Sequence, residues 1–328
     1  MHVLVTGGGG FLGTAICTML RARGERVRSV SRGDYPHLER LGVEHLRGDL
    51  AEPGVAEVAV QGVDAVIHTA ALAGIWGDEA RYVSANVVAT ERLLAAVRAA
   101  GIRRFVYTST PSVVQTDGDC EGGDSSTPYA PAPRTAYQRT KIVAEQAVLA
   151  AHGPEFWTVA LRPRLIWGVG DPHIVPRLAE RSRAGRLRRV GSEDRKVDST
   201  YIDNAATAHL CALDRLTGPD VACGGRAYFV SNGEPLPMWQ LINALLAASG
   251  APTVERSIPA GLAFAVGAVC EAAWSTLPLA GEPPMTRFLA RQLSTANWYD
   301  ISATRRDLGW EPVVSLEQGL ERLRQSRR

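Results

Sequence analysis

Tyr137 and Lys141 stand four residues apart in Tyr137-Gln138-Arg139-Thr140-Lys141, and the apolar residues that follow, Ile142, Val143, Ala144 and Ala147, predict a helix. That spacing places phenol and ammonium on one helical face. An unperturbed tyrosine titrates near ~10, too high for easy proton exchange at neutral pH, and a neighbouring cation lowers it. The pair therefore suits proton delivery to an oxygen on a reacting carbon. A hydroxyl partner precedes it, where the apolar run Phe105 to Ser109 leads to Thr110-Pro111-Ser112. A Tyr/Lys pair at this spacing is also common on ordinary surface helices, so its meaning depends on what positions it.

The positioning begins at the N-terminus. Val3 to Thr6 reads as a buried parallel strand, and Leu12, Ile16, Met19 and Leu20 recur at helical spacing up to Gly24. Between them lie Gly7, Gly8, Gly9 and Gly10, with Gly13 one turn into the helix and Phe11 and Leu12 opening it. A strand that becomes a helix through glycines offers bare N–H groups and a positive dipole end to a phosphate. Two registers of the dinucleotide fingerprint overlap, Gly7/Gly10/Gly13 and Gly8/Gly10/Gly13. The second strand, Arg26 to Val30, is followed by Ser31-Arg32 where an NAD site would carry an acid, which predicts NADP. Asp49-Leu50 follows the strand Val43 to Leu46 and can face the adenine amino group, or Asp49 can cap a helix. The strand Asp64 to Ala71 ends in Ala70 and Ala71, small enough for close approach to pyrophosphate and ribose; His68 within it reads as structural. The strand Val159 to Leu161 runs into Arg162-Pro163-Arg164-Leu165-Ile166, and the nicotinamide end is expected beside Pro163 and Ile166.

The alternation of strands and helices predicts an α/β fold with a doubly wound parallel sheet. Residues 1–165 are expected to bind the dinucleotide and carry the catalytic residues, and 166–328 to form a smaller mixed α/β substrate cap with excursions back to the main sheet. A long helix is expected from Asp78 to Ala100, carrying Asn86, and 115–135 reads as a structureless lid. Thirty-six Lys and Arg against 34 Asp and Glu argue against a nucleic-acid partner. Five scattered cysteines, never in a C-x-x-C pair, read as idle thiols, and no pattern of metal ligands is present. With a strand at the very start, a cytoplasmic location is expected. The apolar stretch Ile258 to Ala280 contains Glu271 and Pro278, which argues against a transmembrane span. A buried or pocket-covering helix is expected there, open to contact with a membrane or a greasy substrate. Leu262, Phe264, Val266, Trp274, Met285 and Phe288 are the candidate pocket residues.

With these residues in place, the chain resembles the extended short-chain dehydrogenases/reductases. The resemblance is carried by Thr6 to Gly13, Asp49-Leu50, His68 to Ala71, Tyr107 to Thr110, Tyr137 to Lys141 and Leu161-Arg162-Pro163. Asp198 to Asn204, Tyr228 to Pro235 and Glu282 to Phe288 are similar to the 3β-hydroxysteroid dehydrogenase-like branch, and within it to the bacterial reductases of long-chain olefin biosynthesis. The resemblance implies a Rossmann-type fold, NADP(H), and reduction of a fatty-acid-derived 2-alkyl-3-keto acid to the 3-hydroxy acid. It implies Tyr137 as proton donor, Lys141 against the nicotinamide ribose and Thr110 as hydroxyl partner, where many relatives carry serine. A homodimer, and assembly with other olefin-pathway enzymes, are likewise implied. A steroid or sterol dehydrogenase shares this chemistry, and a non-catalytic NADP(H) sensor or scaffold shares the fold. Sugar-nucleotide chemistry fits less well with so apolar a second half.

Overall fold

The computed structural model describes residues 1–191 and 195–327. Seven strands form the main sheet: β1 His2–Thr6, β2 Arg26–Ser31, β3 Glu44–Arg47, β4 Ala65–His68, β5 Arg104–Thr108, β6 Trp157–Pro163 and β7 Arg226–Val230. Their spatial order is β7-β6-β5-β4-β1-β2-β3, and every pairing is parallel. Strands β1, β4 and β6 are buried along their whole length, the reason their sequences are apolar without alternation. Successive side chains feed two cores. Val3, Val5, Ile67, Val106 and Leu161 pack with the helices Phe11–Ala22 and Ile202–Arg215, while Leu4, Val66, Phe105 and Ala160 pack with Leu93 and Val97. The strand order reverses between β1 and β4, the crevice where doubly wound sheets bind ligands.

The chain beyond residue 165 contributes to the same body. β7 extends the main sheet beside β6, and the helix Ile202–Arg215 packs on the glycine-turn helix Phe11–Ala22. A separate core of Trp167, Tyr201, Trp239, Leu245, Val314 and Leu320 holds the rest of this half.

One expectation needs correction and two need refinement. The stretch 115–135 is not structureless: Cys120–Gly123 is a strand paired in parallel with Asn297–Tyr299, and Asp119 accepts a hydrogen bond from the Ala296 N–H at 2.8 Å. Its pairing partner lies far along the chain, so local periodicity carries no trace of it. The expected long helix is α-helical at Glu79–Tyr82, π-helical at Val83–Val88 and α-helical again at Ala89–Ala99, with Asn86 in the π segment. The apolar helix Ala260–Thr276 is pocket-covering, the second of the two alternatives expected for it: Phe264 and Glu271 line a cavity, while Leu262, Val266 and Val269 are 52%, 43% and 70% exposed. Its small residues face inward instead. Ala263 and Gly267 are buried, and a Cβ on Gly267 would lie 2.6 Å from the Thr286 backbone carbon. Among the described residues, no helix is long and apolar enough to cross a membrane.

Candidate active site

The helix Ala136–Ala150 starts at Thr135, whose hydroxyl accepts the Gln138 N–H at 3.1 Å. Buried Gln138 donates from Nε2 to the Ser112 carbonyl at 2.8 Å and the Gln115 carbonyl at 2.7 Å. The residue after Tyr137 thus clamps the helix start onto the turn that carries Thr110. Thr110 itself caps that turn, its Oγ1 accepting the Ser112 N–H at 3.2 Å. That hydroxyl donates in turn to Ser112 Oγ at 3.2 Å. Burial pushes the Tyr137 phenol up, the Thr110 hydroxyl pulls it down, and nearby Tyr82 pushes it up again.

Lys141 is buried, 2% exposed, and its Nζ donates to the Tyr107 hydroxyl at 2.6 Å and the Thr108 carbonyl at 2.7 Å. The ammonium also sits 4.1 Å from the Tyr107 ring centroid. In this state the lysine is turned to the sheet, and burial, Thr110 and Tyr82 set the Tyr137 acidity. Glu145, one further turn along the same face, is fully buried and accepts from Arg162 Nε at 3.0 Å, Arg162 Nη2 at 2.5 Å and the Tyr129 hydroxyl at 2.8 Å. The sequence reading missed Glu145, Tyr107 and Tyr82. The i, i+4, i+8 series Tyr137, Lys141, Glu145 was the available signal for the first. His68 bonds Thr6 Oγ1 at 2.6 Å and Thr90 Oγ1 at 2.9 Å through its two ring nitrogens, and burial then Lys141 lower it to about 3. Asn86 is buried, accepts the Leu72 N–H at 2.7 Å and donates to Thr140 Oγ1 at 3.1 Å, tying the π segment to the helix that carries Tyr137 and Lys141.

Burial lowers the Lys141 ammonium from 10.5 to about 7, with Glu145 opposing. The folded value lies below the unfolded one, so between those values the unfolded chain holds more protons and stability from this group rises with pH. Lys141→Met removes the effect. In urea unfolding without cofactor, the wild type should gain on that variant by about 1.5 kcal/mol from pH 7 to 8.5. Thiols pushed up by burial, such as Cys17 and Cys223, titrate alike in both proteins and cancel in the difference. Parallel pH profiles would contradict a buried, depressed ammonium.

The glycine turn forms the other half of the site. Gly7 has φ +68°, and a Cβ there would lie 2.9 Å from Ala70 Cα; a Cβ on Gly13 would lie 2.2 Å from the Gly7 carbonyl oxygen. Gly8 is closed as tightly, a Cβ there lying 2.4 Å from Ser29 Oγ, so both overlapping registers are packed as glycine positions. Gly10 caps the helix without a side-chain hydrogen bond, leaving its first turn for a ligand. A cavity of about 220 Å³ opens over this turn, lined by Gly7, Gly10, Ala70 and Ala71 at one end and by Ser31, Arg32, Asp49 and Leu50 at the other. Tyr35, which the sequence reading passed over, also lines it. Ser31 Oγ is buried without a hydrogen-bond partner, and Arg32 is exposed with its Nη1 4.0 Å from Asp49 Oδ2. This cradle, which any Cβ would fill, together with small residues and an open arginine, fits a dinucleotide. Phe11, Leu12 and Gly13, in the helix, and Pro163 and Ile166, at the β6 exit, are outside its lining. Leu165, between them, holds φ +44°, a strained conformation for a branched residue.

A second cavity, about 590 Å³, borders the start of the helix Ala136–Ala150 at Thr135 and Ala136 and includes Tyr82. Of the expected pocket residues, Phe264 and Phe288 line it. Leu262 and Val266 face solvent, while Met285 packs on the second core. Among the described residues no cluster of His, Cys, Asp or Glu is placed to hold a metal ion.

A hydroxyl, a phenol and a buried lysine beside a dinucleotide cradle, on a sheet of this order, define a nicotinamide-dependent oxidoreductase acting on a ketone or hydroxyl group. The chain belongs to the 3-beta hydroxysteroid dehydrogenase/isomerase family, which it matches over residues 4–260. It is 55% identical to the 2-alkyl-3-oxoalkanoate reductase of Stenotrophomonas maltophilia (strain K279a) over 99% of both chains. It is 46% identical to the 2-alkyl-3-oxoalkanoate reductase of Shewanella oneidensis over 99% of this chain and 86% of the relative. The structure of MoeE5 in complex with UDP-glucose and NAD shares the fold, with a TM-score of 0.76 at 24% identity over 100% of this chain and 99% of that one.

Proposed function

We propose that this protein reduces a 2-alkyl-3-oxoalkanoate to the 2-alkyl-3-hydroxyalkanoate with NADPH, within long-chain olefin biosynthesis. The observation that carries the reading is the 55% identity, over nearly the whole of both chains, to a reductase of that name, in a chain that carries Thr110, Tyr137 and Lys141. When bound, the nicotinamide supplies the hydride. Tyr137 Oη then gives its proton to the substrate oxygen, and the Thr110 hydroxyl hydrogen-bonds the same oxygen as charge grows on it. Lys141, leaving Tyr107 and the Thr108 carbonyl, would hold the ribose and lower the phenol's pKa, and Pro163 and Ile166 would help hold the nicotinamide end. The exposed apolar face of Ala260–Thr276 is the surface we assign to contact with lipid or with another pathway enzyme, and a cytoplasmic homodimer completes the reading.

NADP preference rests on Ser31 and Arg32 at the end of β2, the one buried and unpartnered, the other open to solvent. Purified protein should reduce NADP with a long-chain 2-alkyl-3-hydroxy acid, followed at the nicotinamide absorbance, and should use NAD poorly. Arg32→Asp removes a charged hydrogen-bond donor to the 2′-phosphate and should lower the NADP-to-NAD ratio of kcat/KM by about 10- to 100-fold. An unchanged ratio would remove Arg32 from the cofactor site.

A further inference from the structure

The cavity beside the catalytic helix holds an unequal set of charges. Four arginines, Arg134, Arg139, Arg287 and Arg291, share it with three carboxylates, Glu79, Asp117 and Glu271. Two pairs are closed. Arg139 meets both Glu79 oxygens, Nε at 2.8 Å and Nη2 at 2.9 Å; Arg287 meets both Glu271 oxygens, Nε at 2.6 Å and its backbone N–H at 2.7 Å. Asp117 is engaged on both oxygens by Arg134, through Nε at 3.3 Å and through Nη2. Arg291 is left with a share of that same carboxylate, its Nη1 3.4 Å from Oδ2, and is 42% exposed. Its guanidinium lies over the Phe264 ring, 5.0 Å from the centroid.

The position is fixed relative to the reacting groups. Gln292, the next residue, donates to the Gln115 side chain, and the Gln115 carbonyl accepts from Gln138, the neighbour of Tyr137. Arg291 thus offers a cation with spare hydrogen-bonding capacity, one face on an aromatic ring, in a cavity whose lining charges sum to one net positive. The ligand that completes such a site is a monoanion with an apolar chain next to its charge, and a planar carboxylate suits the guanidinium fork.

We propose that Arg291 is the anchor for the substrate carboxylate, with Phe264 and Phe288 receiving the adjoining alkyl chain. This rests on the proposed function and assigns the group that makes the site select an acid over a neutral ketone or sterol.

The test compares a long-chain 2-alkyl-3-hydroxy acid with its methyl ester in the wild type, Arg291→Gln and Arg291→Lys. Arg291→Gln should raise KM for the acid about 10- to 100-fold, with little change in kcat and none in KM for the ester. Arg291→Lys should recover part of the loss. Equal changes for acid and ester, or no change for either, would overturn the anchor. A wild type that oxidises neither compound would overturn the proposed function, and the anchor is then judged by binding. Titration of the same acid and ester, read by intrinsic fluorescence to which Trp76 in the cavity wall contributes, should show acid-selective loss in Arg291→Gln. Unchanged acid affinity there would refute it.

Discussion

Tyr137→Phe should lower turnover at least about 100-fold while cofactor affinity stays close to that of the wild type. The substitution removes one oxygen from a half-buried position and leaves the Gln138 clamp and the Thr135 cap intact, so the helix keeps its place. No neighbour is set to take over. The Thr110 hydroxyl remains, but an alcohol is a far weaker acid than a phenol. Tyr107 is buried, its hydroxyl occupied by Lys141, and burial, then Glu145, Tyr137 and Tyr129, push its pKa well above the usual range. Steady-state rates beside a fluorescence titration with NADPH separate the two quantities. Near-normal turnover would show that the proton comes from elsewhere, with Tyr82 or Lys141 next to be tested.

The second large effect belongs to the cradle. In Gly13→Ala the new methyl would meet the Gly7 carbonyl oxygen at 2.2 Å, Gly8 Cα at 2.7 Å and the Gly7 carbonyl carbon at 2.8 Å. All three are backbone atoms, and they cannot withdraw without opening the turn that presents N–H groups to the phosphates. Such overpacking should cost about 3 kcal/mol of stability, and cofactor binding should fall below detection. Gly10→Ala is the matched comparison, since its Cβ meets only the Gly7 carbonyl oxygen at 3.3 Å. That variant should unfold near the wild-type temperature and bind cofactor more weakly. Thermal unfolding with and without NADPH measures both, and wild-type affinity in Gly13→Ala would contradict the cradle.

The parts of this molecule that were legible in the sequence are those written in local pattern. Buried parallel strands announce themselves as unbroken apolar runs, as in Val3 to Thr6, and the glycines at 7 and 13 mark a turn that only glycine tolerates. How tightly both glycine registers are packed was not legible, because it depends on Ser29 and Ala70, which come from other segments of the chain. The same holds for Cys120–Gly123, a strand only because Asn297–Tyr299 lies beside it. For the helix Ala260–Thr276 the sequence left buried and pocket-covering both open for another reason. It is apolar on every side, so no periodicity distinguishes its faces, and the inward stripe is set by small Ala263 and Gly267. In the active site, spacing pointed to Tyr137 and Lys141 but not to where the ammonium points, since Tyr107 and Thr108 come from a different strand.

The central claim, that the site takes an open-chain 3-oxo or 3-hydroxy acid, is tested most directly by competition. Purified protein with NADP is given equal concentrations of a long-chain 2-alkyl-3-hydroxy acid and a 3β-hydroxysteroid, and the oxidised products are quantified by mass spectrometry. The β-keto acid is counted together with the ketone that it forms on decarboxylation. The account predicts products of the acid almost alone. Oxidation of the steroid with the acid untouched would keep the fold and the Tyr137 chemistry but contradict the substrate.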